Sequence, residues 1–78
     1  MKTTRYFDYM RQRPDRAHMK EEWIRFVIEN PAKIETQSDG RIRKWAKVLE
    51  TGKYLRVVLL EDRETVHNAF FDRSHKEG

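Results

Sequence analysis

The sequence contains no cysteine among its 78 residues. This absence excludes a disulfide-stabilised scaffold, an iron–sulfur site, a thiolate zinc site and a cysteine nucleophile, and it favours a cytoplasmic protein. The longest strictly apolar run covers residues 57–60, far fewer than the roughly 18 to 20 apolar residues that cross a bilayer. The first ten residues carry charge and lack an apolar core, so we expect no signal peptide and no association with a membrane.

Glycine and serine are also scarce. The three glycines, Gly40, Gly52 and Gly78, cannot form a phosphate-binding loop or a dinucleotide-binding fingerprint, which excludes nucleotide-driven enzymes. Ser38 and Ser74 lie outside any nucleophile-elbow motif, so a serine hydrolase is not expected.

The composition indicates a single domain over residues 1–78, with residues 73–78 as a flexible tail. Charged residues make up 38% of the chain, but aromatic residues reach 12% and both signs of charge are present, which argues against disorder. Seventeen lysines and arginines against 13 aspartates and glutamates leave a net charge of +4. Residues 40–56 hold six cations and Glu50 as the one acid, so this segment favours an acidic partner, nucleic acid first.

Two helices are predicted before Pro31. The first follows a hydroxyl cap at Thr3 or Thr4 and ends before Pro14. The second follows a cap at Asp15 and ends before Pro31, because proline cannot continue a helix. The second helix has a wide apolar stripe that needs a matching surface, made of Met19, Trp23, Ile24, Phe26, Val27 and Ile28.

After Pro31 the pattern alternates and predicts four strands, over residues 32–37, 41–49, 54–60 and 65–72. Gly40 and Gly52 mark hairpins, because glycine accepts the positive φ that tight turns need. The polar residues 61–64 form a third turn that lacks glycine. We therefore predict an α+β fold in which two N-terminal helices pack on one face of a four-stranded antiparallel meander.

Alternation assigns each strand residue to one of two faces. The face expected beneath the helices contains Ile42, Ala46, Val48, Leu55, Val57, Leu59, Val66 and Phe70. The opposite face contains Arg41, Arg43, Trp45, Lys47, Tyr54, Arg56, Val58, Thr65, His67, Ala69, Phe71 and Arg73. Guanidinium groups suit phosphates, aromatic rings stack on unpaired bases, and histidine transfers protons near neutral pH. The second face therefore has the groups that RNA binding and RNA cleavage require.

Simpler interpretations exist for the same residues. Lysine and arginine are common on the solvent-facing side of an antiparallel sheet. Trp45 and Tyr54 could form a cross-strand pair that stabilises the hairpin, or an interface with a partner protein. His18 and Glu22 lie four residues apart on the second helix, but two ligands are a weak signal for a metal and an ordinary surface pair is the better interpretation. We predict no metal site and no cofactor.

Three segments carry a resemblance to known proteins: DGRIRKW at residues 39–45, YLRVV at 54–58 and ETVHNAF at 64–70. Over nearly the whole chain they resemble a family of small bacterial proteins of unknown function. More distantly, the order of helices, Asn-Pro stop and basic strands is similar to the RelE, ParE and BrnT toxin superfamily. That resemblance implies a RelE-like fold, an antitoxin partner and, in many members, metal-independent RNA cleavage on a sheet face lined by arginine, lysine and histidine.

Two features depart from that superfamily. RelE-type toxins usually begin with a strand before the helices, for which residues 1–4 leave little length. The tyrosine that acts near the end of several RelE-type ribonucleases has no counterpart after Phe71. Proton transfer would therefore fall to His67.

The leading hypothesis is a toxin-like protein that binds RNA and cleaves it without metal. His67 would act as general base or general acid, and the charge on the scissile phosphate would be stabilised by Arg43, Arg56 and Arg73. A further set would bind the RNA: Arg41, Lys47, Trp45 and Tyr54. The alternative is a non-catalytic module that docks a partner protein or nucleic acid, and a ParE-like protein acting on a protein target is a third hypothesis. The pattern leaves the oligomeric state open.

Overall fold

The computed structural model describes residues 1–14 and 19–73. Its elements are α1 (Arg5–Arg11), α2 (Glu21–Glu29), β1 (Lys33–Thr36), β2 (Ile42–Val48), β3 (Lys53–Leu59) and β4 (Val66–Phe71). The strands form one antiparallel sheet in the order β1-β2-β3-β4. The predicted α+β class, with two helices and a four-stranded antiparallel meander, is confirmed, and every strand boundary lies within one residue of its predicted position.

The two helices differ in how their first turns are capped. The Thr4 hydroxyl accepts a hydrogen bond from the Phe7 N–H at 3.1 Å, which confirms the predicted cap of α1. Lys20 precedes α2 without a side-chain cap, and two glutamates in the first turn suit the positive end of the helix dipole. The predicted cap Asp15 lies outside the described residues. Neither of the two described helices is long and apolar enough to cross a membrane.

One apolar cluster contains residues from both helices and from alternate positions of the sheet. Its members are Phe7, Ile24, Val27, Ile42, Ala46, Val48, Leu55, Val57, Leu59, Val66 and Ala69. Phe26, which the sequence placed in the buried stripe, is 43% exposed. The buried line of α2 runs through Ile24 and Val27, three residues apart, and Phe26 lies on another side of the helix.

A β-bulge in β4 reverses part of the predicted face assignment. The pairing of β3 with β4 shifts register between Val58 and Leu59 and leaves His67 as an extra residue. Because side chains alternate, one extra residue moves every later side chain to the other face. Four face predictions are therefore wrong. Ala69 and Phe71 belong to the helix side with the core cluster, and Phe70 lies on the opposite side. Arg73 follows Asp72, whose carboxylate contacts Trp45 and Arg56, so alternation no longer places Arg73 on the face of Arg43 and Arg56.

The first residues of the chain pair with the free edge of β4. Thr3 forms a parallel bridge with Val66. The Thr4 N–H donates to the Val66 carbonyl at 3.0 Å, and the Val66 N–H donates to the Lys2 carbonyl at 2.8 Å. This pairing fixes the start of α1 beside β4, where Phe7 enters the core cluster.

Candidate functional site

The sheet face away from the core cluster is the outer face. Its side chains are Arg43, Trp45 and Lys47 from β2, Tyr54, Arg56 and Val58 from β3, and Asn68 and Phe70 from β4. Directly opposed residues on neighbouring strands share a face. The register opposes Trp45 to Arg56 and Lys47 to Tyr54. Three of the predicted site cations, Arg43, Lys47 and Arg56, thus share one face.

Three of the predicted site arginines, Arg41, Arg43 and Arg56, each have an acidic partner. The Arg43 Nη1 lies 3.2 Å from the Glu35 Oε1. The Arg41 Nε lies 3.7 Å from an Asp39 carboxylate oxygen, and the Arg56 Nη1 lies 3.7 Å from the Asp72 Oδ2. Their positive charge is therefore partly neutralised within the protein.

Trp45 is buried on the outer face, with 4% of its surface exposed. Its Nε1 donates to the Asp72 Oδ2 at 3.0 Å. The Arg56 guanidinium lies 5.9 Å from the Trp45 ring centroid and 4.2 Å from that of Phe70, a cation–π arrangement. The predicted role of Trp45 as a base-stacking surface does not fit this burial, because its ring is already covered. The Trp45–Tyr54 pair considered from the sequence is replaced by Trp45 opposite Arg56.

His67 occupies the bulge, beside the N-terminal segment. Its Nδ1 lies 3.2 Å from the Thr4 Oγ1, and its ring stacks on Tyr6 with 5.0 Å between centroids. The Thr4 hydroxyl already accepts from the Phe7 N–H, so it has a proton to donate to the Nδ1 of a neutral imidazole. Thr4 thereby links α1 to β4.

The surroundings of His67 favour its neutral form. Burial lowers the pKa of His67 below its ordinary value, and the Arg41 charge lowers it further, whereas Asp39 raises it. A neutral imidazole at pH 7 can accept a proton, which a general base must do. The Nδ1, however, is engaged by Thr4.

His67 and Arg73 lie at opposite ends of β4. Six residues separate them, a distance of about 20 Å in an extended strand. The Asp72 N–H, next to Arg73, donates to the Tyr54 carbonyl at 2.9 Å, whereas His67 lies beside the pairing of Val58 and Leu59. The structure therefore does not bring all four predicted catalytic residues around one phosphate.

Three exposed cations instead lie near the Tyr54 backbone, at the end of the β2–β3 hairpin. Because side chains alternate, Lys53 points to the opposite face of the sheet from Tyr54. Lys47 lies directly opposite Tyr54 on the outer face. Lys53 precedes Tyr54 in β3. Arg73 follows Asp72, whose N–H donates to the Tyr54 carbonyl. All three are exposed. Within residues 1–14 and 19–73, no carboxylate lies within the 4.0 Å ion-pair distance of any of them. Among the exposed cations of β2, β3 and the residues after β4 that the structure describes, those without a carboxylate partner therefore lie at this end of the sheet.

A cleft of about 360 Å³ opens at the same place. This hairpin-end cleft is lined by Gly52, Lys53, Tyr54, Phe71, Asp72 and Arg73. Lys53 and Arg73 give it positive charge, and the Lys53 Nζ lies 6.0 Å from the Phe71 ring centroid. Cations bind phosphates and aromatic rings stack on bases, so this combination suits a nucleotide.

Two residues of the cleft were missed from the sequence as parts of a site. Lys53 belongs to the basic segment 40–56, but the acidic partners of the other cations depend on strand register and could not be assigned. Phe71 was placed on the wrong face because strict alternation ignores the bulge at His67. Gly52 was the one signal in the sequence that could have found this site, because it marks the turn of the β2–β3 hairpin next to Lys53.

No group of three or more histidine, aspartate or glutamate side chains in the described part of the chain could hold a metal ion. His18 of the pair considered above lies outside that part. Comparisons with protein-family models, with curated proteins and with solved structures give no match. The functional argument therefore depends on the geometry alone.

Proposed function

We propose that the chain binds RNA through the exposed cations at the end of the β2–β3 hairpin. The observation that carries this proposal is the contrast between two sets of cations on the basic strands. Arg41, Arg43 and Arg56 are paired with carboxylates, whereas the set at the hairpin end, Lys47, Lys53 and Arg73, is exposed and has no such partner among the described residues. Cations that keep their charge attract phosphates most strongly, and release of counterions drives the binding.

The aromatic residue opposite Lys47 favours RNA with unpaired bases. Tyr54 is half-buried and lies on the outer face directly opposite Lys47. Proteins read unpaired RNA bases by stacking them on such rings, whereas bases within a duplex are stacked on each other. Single-stranded RNA is therefore the preferred ligand.

The resemblance to RelE-type proteins supports the same proposal. It implies basic antiparallel strands after two helices, and it implies a strand before the helices. Residues 2–4 pair with Val66, at the position in the chain where such a strand would stand. We extend the proposal to a RelE-like arrangement of the two helices on the sheet.

The geometry supports binding better than cleavage. The cleavage hypothesis needs His67 near the cations that hold the scissile phosphate, and about 20 Å of extended strand lies between His67 and Arg73. His67 also engages Thr4 and Tyr6. We therefore propose a binding protein, and a nuclease becomes an outcome of the test.

The test compares two variants that lose the same charge. In the first, K47Q and K53Q remove two cations of the hairpin end. In the matched control, R5Q and R63Q remove two exposed cations that also lack a carboxylate partner in the described residues but lie in α1 and in the β3–β4 turn. We expect the first variant to bind a single-stranded RNA about tenfold more weakly than the parent, and the control to bind nearly as the parent does. Equal losses in both variants would show that net charge alone determines binding, and would overturn the proposed site.

The same samples separate binding from cleavage. RNA incubated with the parent in the presence of a chelator is expected to stay intact on a gel. Cleavage that disappears in H67A would replace the binding proposal with the nuclease hypothesis.

A further inference from the structure

β1 lies at the edge of the sheet, and no strand within residues 1–14 and 19–73 pairs with its outer side. It is the first strand in the order β1-β2-β3-β4, and it pairs with β2 on its inner side. At the opposite edge of the sheet, residues 2–4 pair with the start of β4. The outer side of β1 therefore presents backbone groups with which another strand can pair.

The direction of these backbone groups follows from the β1–β2 hairpin. The Gln37 N–H donates to the Arg41 carbonyl at 2.7 Å, so the backbone groups of Gln37 point towards β2. Because this direction alternates along a strand, the backbone groups of Glu35 point towards β2 as well. Those of Ile34 and Thr36 point outwards. Ile34 is thus placed to exchange two hydrogen bonds with an added strand.

The side chains on either side of Ile34 carry opposite charges. Lys33 and Glu35 lie on the outer face, where they are paired with Trp45 and Arg43 of β2. When a second β1 runs antiparallel with Ile34 opposite Ile34, Lys33 of each copy lies opposite Glu35 of the other copy. These are the positions without backbone hydrogen bonds, at which opposed side chains are closest. Opposite charges on directly opposed residues stabilise a sheet.

The same two charges select one register. Charged side chains on an edge strand usually prevent pairing. Antiparallel registers shifted by two residues place Lys33 opposite Lys33 or Glu35 opposite Glu35, and like charges at opposed positions are destabilising. In the register centred on Ile34, both charged pairs attract each other.

Glu35 has an oxygen available for this contact. Its Oε1 lies 3.2 Å from the Arg43 Nη1. Its Oε2 lies 3.9 Å from the Lys33 Nζ of the same strand, which is a long contact for an ion pair. Both Lys33 and Glu35 are exposed, so Lys33 of a second copy can approach this oxygen.

Ile34 is an exposed apolar side chain at the centre of the strand. It is 59% exposed and lies on the helix side of the sheet, opposite Lys44. A small cavity of about 90 Å³ lies beside it, lined in part by Ile42. Directly opposed side chains have Cβ atoms about 5 Å apart, so Ile34 of two copies would cover each other's apolar surface.

We infer that two copies of the chain associate through β1, in the antiparallel register that places Ile34 opposite Ile34. The two sheets then form one continuous sheet, and the edge strand of each copy is paired. The contact uses none of the cations proposed to bind RNA, so this inference stands apart from the proposed function.

Sedimentation velocity of the full chain, from micromolar to millimolar concentration, tests the association. We expect the parent to change from monomer to dimer within this range. I34K should fold, because the side chain is exposed in a single copy, and should stay monomeric, because two lysines would meet at the centre of the contact. A parent that stays monomeric at millimolar concentration would overturn the inference, and so would a folded I34K that dimerises as the parent does.

Charge variants test the register. K33E and E35K each place like charges opposite one another, and each should weaken dimerisation about tenfold. A mixture of the two variants should dimerise as the parent does, because a K33E chain beside an E35K chain restores both attractive pairs. R5E is the control for K33E, since it makes the same change of charge on α1, which packs against β4 at the opposite edge of the sheet.

Circular dichroism shows which variants are folded before they are compared. If E35K fails to fold, K33E and I34K give the same comparison with R5E. Folded single variants that dimerise as the parent does would overturn the inference, as would a mixture of folded variants that does not recover dimerisation. An R5E protein that weakens dimerisation as much as K33E does would attribute the effect to net charge and would also overturn it.

Discussion

His67 holds the N-terminal segment against β4 through its neutral imidazole. The Thr4 hydroxyl reaches the Nδ1, Tyr6 stacks on the ring, and Arg41 and Asp39 are the charged groups that act on it. Burial of the ring favours the neutral imidazole. A residue that the sequence suggested for proton transfer thus has a structural role in the fold.

The lowered pKa of His67 predicts how stability depends on pH. Because the folded state lowers the pKa of this group, the neutral form is favoured by folding. The stabilisation is present above the ordinary histidine pKa of about 6.5 and is lost as the pH falls from there through the pKa of the folded state. We expect the NMR titration of His67 to give a pKa below 6.5. The stability difference between the parent and H67Q should shrink between pH 7.5 and pH 5, and a pKa at or above 6.5 would contradict this prediction.

Trp45 gives a second prediction at the scale of one residue. W45F keeps an aromatic ring but removes the Nε1–H that Asp72 accepts. A lost hydrogen bond to a carboxylate that is mostly buried costs about 1 to 2 kcal/mol. We expect urea unfolding to show that loss, with RNA affinity unchanged, because the ring is covered in the parent. A clear loss of RNA affinity in a folded W45F protein would restore the stacking role predicted from the sequence.

Residue types were easier to predict than their surroundings. The cations and aromatic residues of the basic strands could be named from the sequence, and so could Thr4 as a helix cap. Which arginine meets which carboxylate depends on long-range contacts such as that of Arg56 in β3 with Asp72, which follows β4. No local pattern contains that information.

The turns are the elements on which the sheet register depends. Gly40 has a φ of +91° and Gly52 a φ of +70°, both in the region that favours glycine. The β3–β4 turn reaches a similar geometry without glycine. There, Arg63 has a φ of 64°, and the Asp62 carboxylate accepts hydrogen bonds from the Thr65 hydroxyl and from the Thr65 and Glu64 N–H groups. These bonds lower the pKa of Asp62 to about 2.

Alanine at either turn glycine should carry a similar cost. At Gly52 the cost is the positive φ alone, because an added Cβ meets no atom within 4 Å. At Gly40 the added Cβ would meet only side-chain atoms of Glu61, which is exposed and can rotate away. We therefore expect G40A and G52A each to lower the free energy of unfolding by about 1 kcal/mol. A loss in denaturant unfolding several times larger at one position than at the other would contradict this prediction.

The positions of the strands could be predicted from the turn residues. The face on which each side chain lies could be predicted only in part. Alternation gave the correct faces for β2 and β3, because their pairing is regular. In β4 the extra residue His67 inverted the faces of all that follow. A bulge depends on how two strands pair, so its position could not be read from β4 alone.

At the scale of the whole molecule, the accessible positive charge depends on ion pairs between side chains as well as on where the cations stand in the sequence. The net charge of +4 and the basic segment 40–56 could be predicted. Ion pairs then partly neutralise Arg41, Arg43 and Arg56, whereas Lys47, Lys53 and Arg73 at the hairpin end have no carboxylate partner among the described residues. The sequence placed His67 and its three predicted catalytic arginines on one face of the sheet. In the structure, the length of β4 separates His67 from Arg73, and the bulge changes the faces of the residues after His67.

The salt dependence of RNA binding tests the central claim most directly, because it counts the phosphates that the protein contacts. For single strands, each contacted phosphate contributes about 0.7 to the slope of log affinity against log salt concentration. If Lys47 and Lys53 bind phosphates, K47Q combined with K53Q should reduce the magnitude of that slope by about 1.4, and R5Q combined with R63Q should leave it unchanged. An unchanged slope in the first variant, or an equal reduction in both, would contradict RNA binding at the hairpin end.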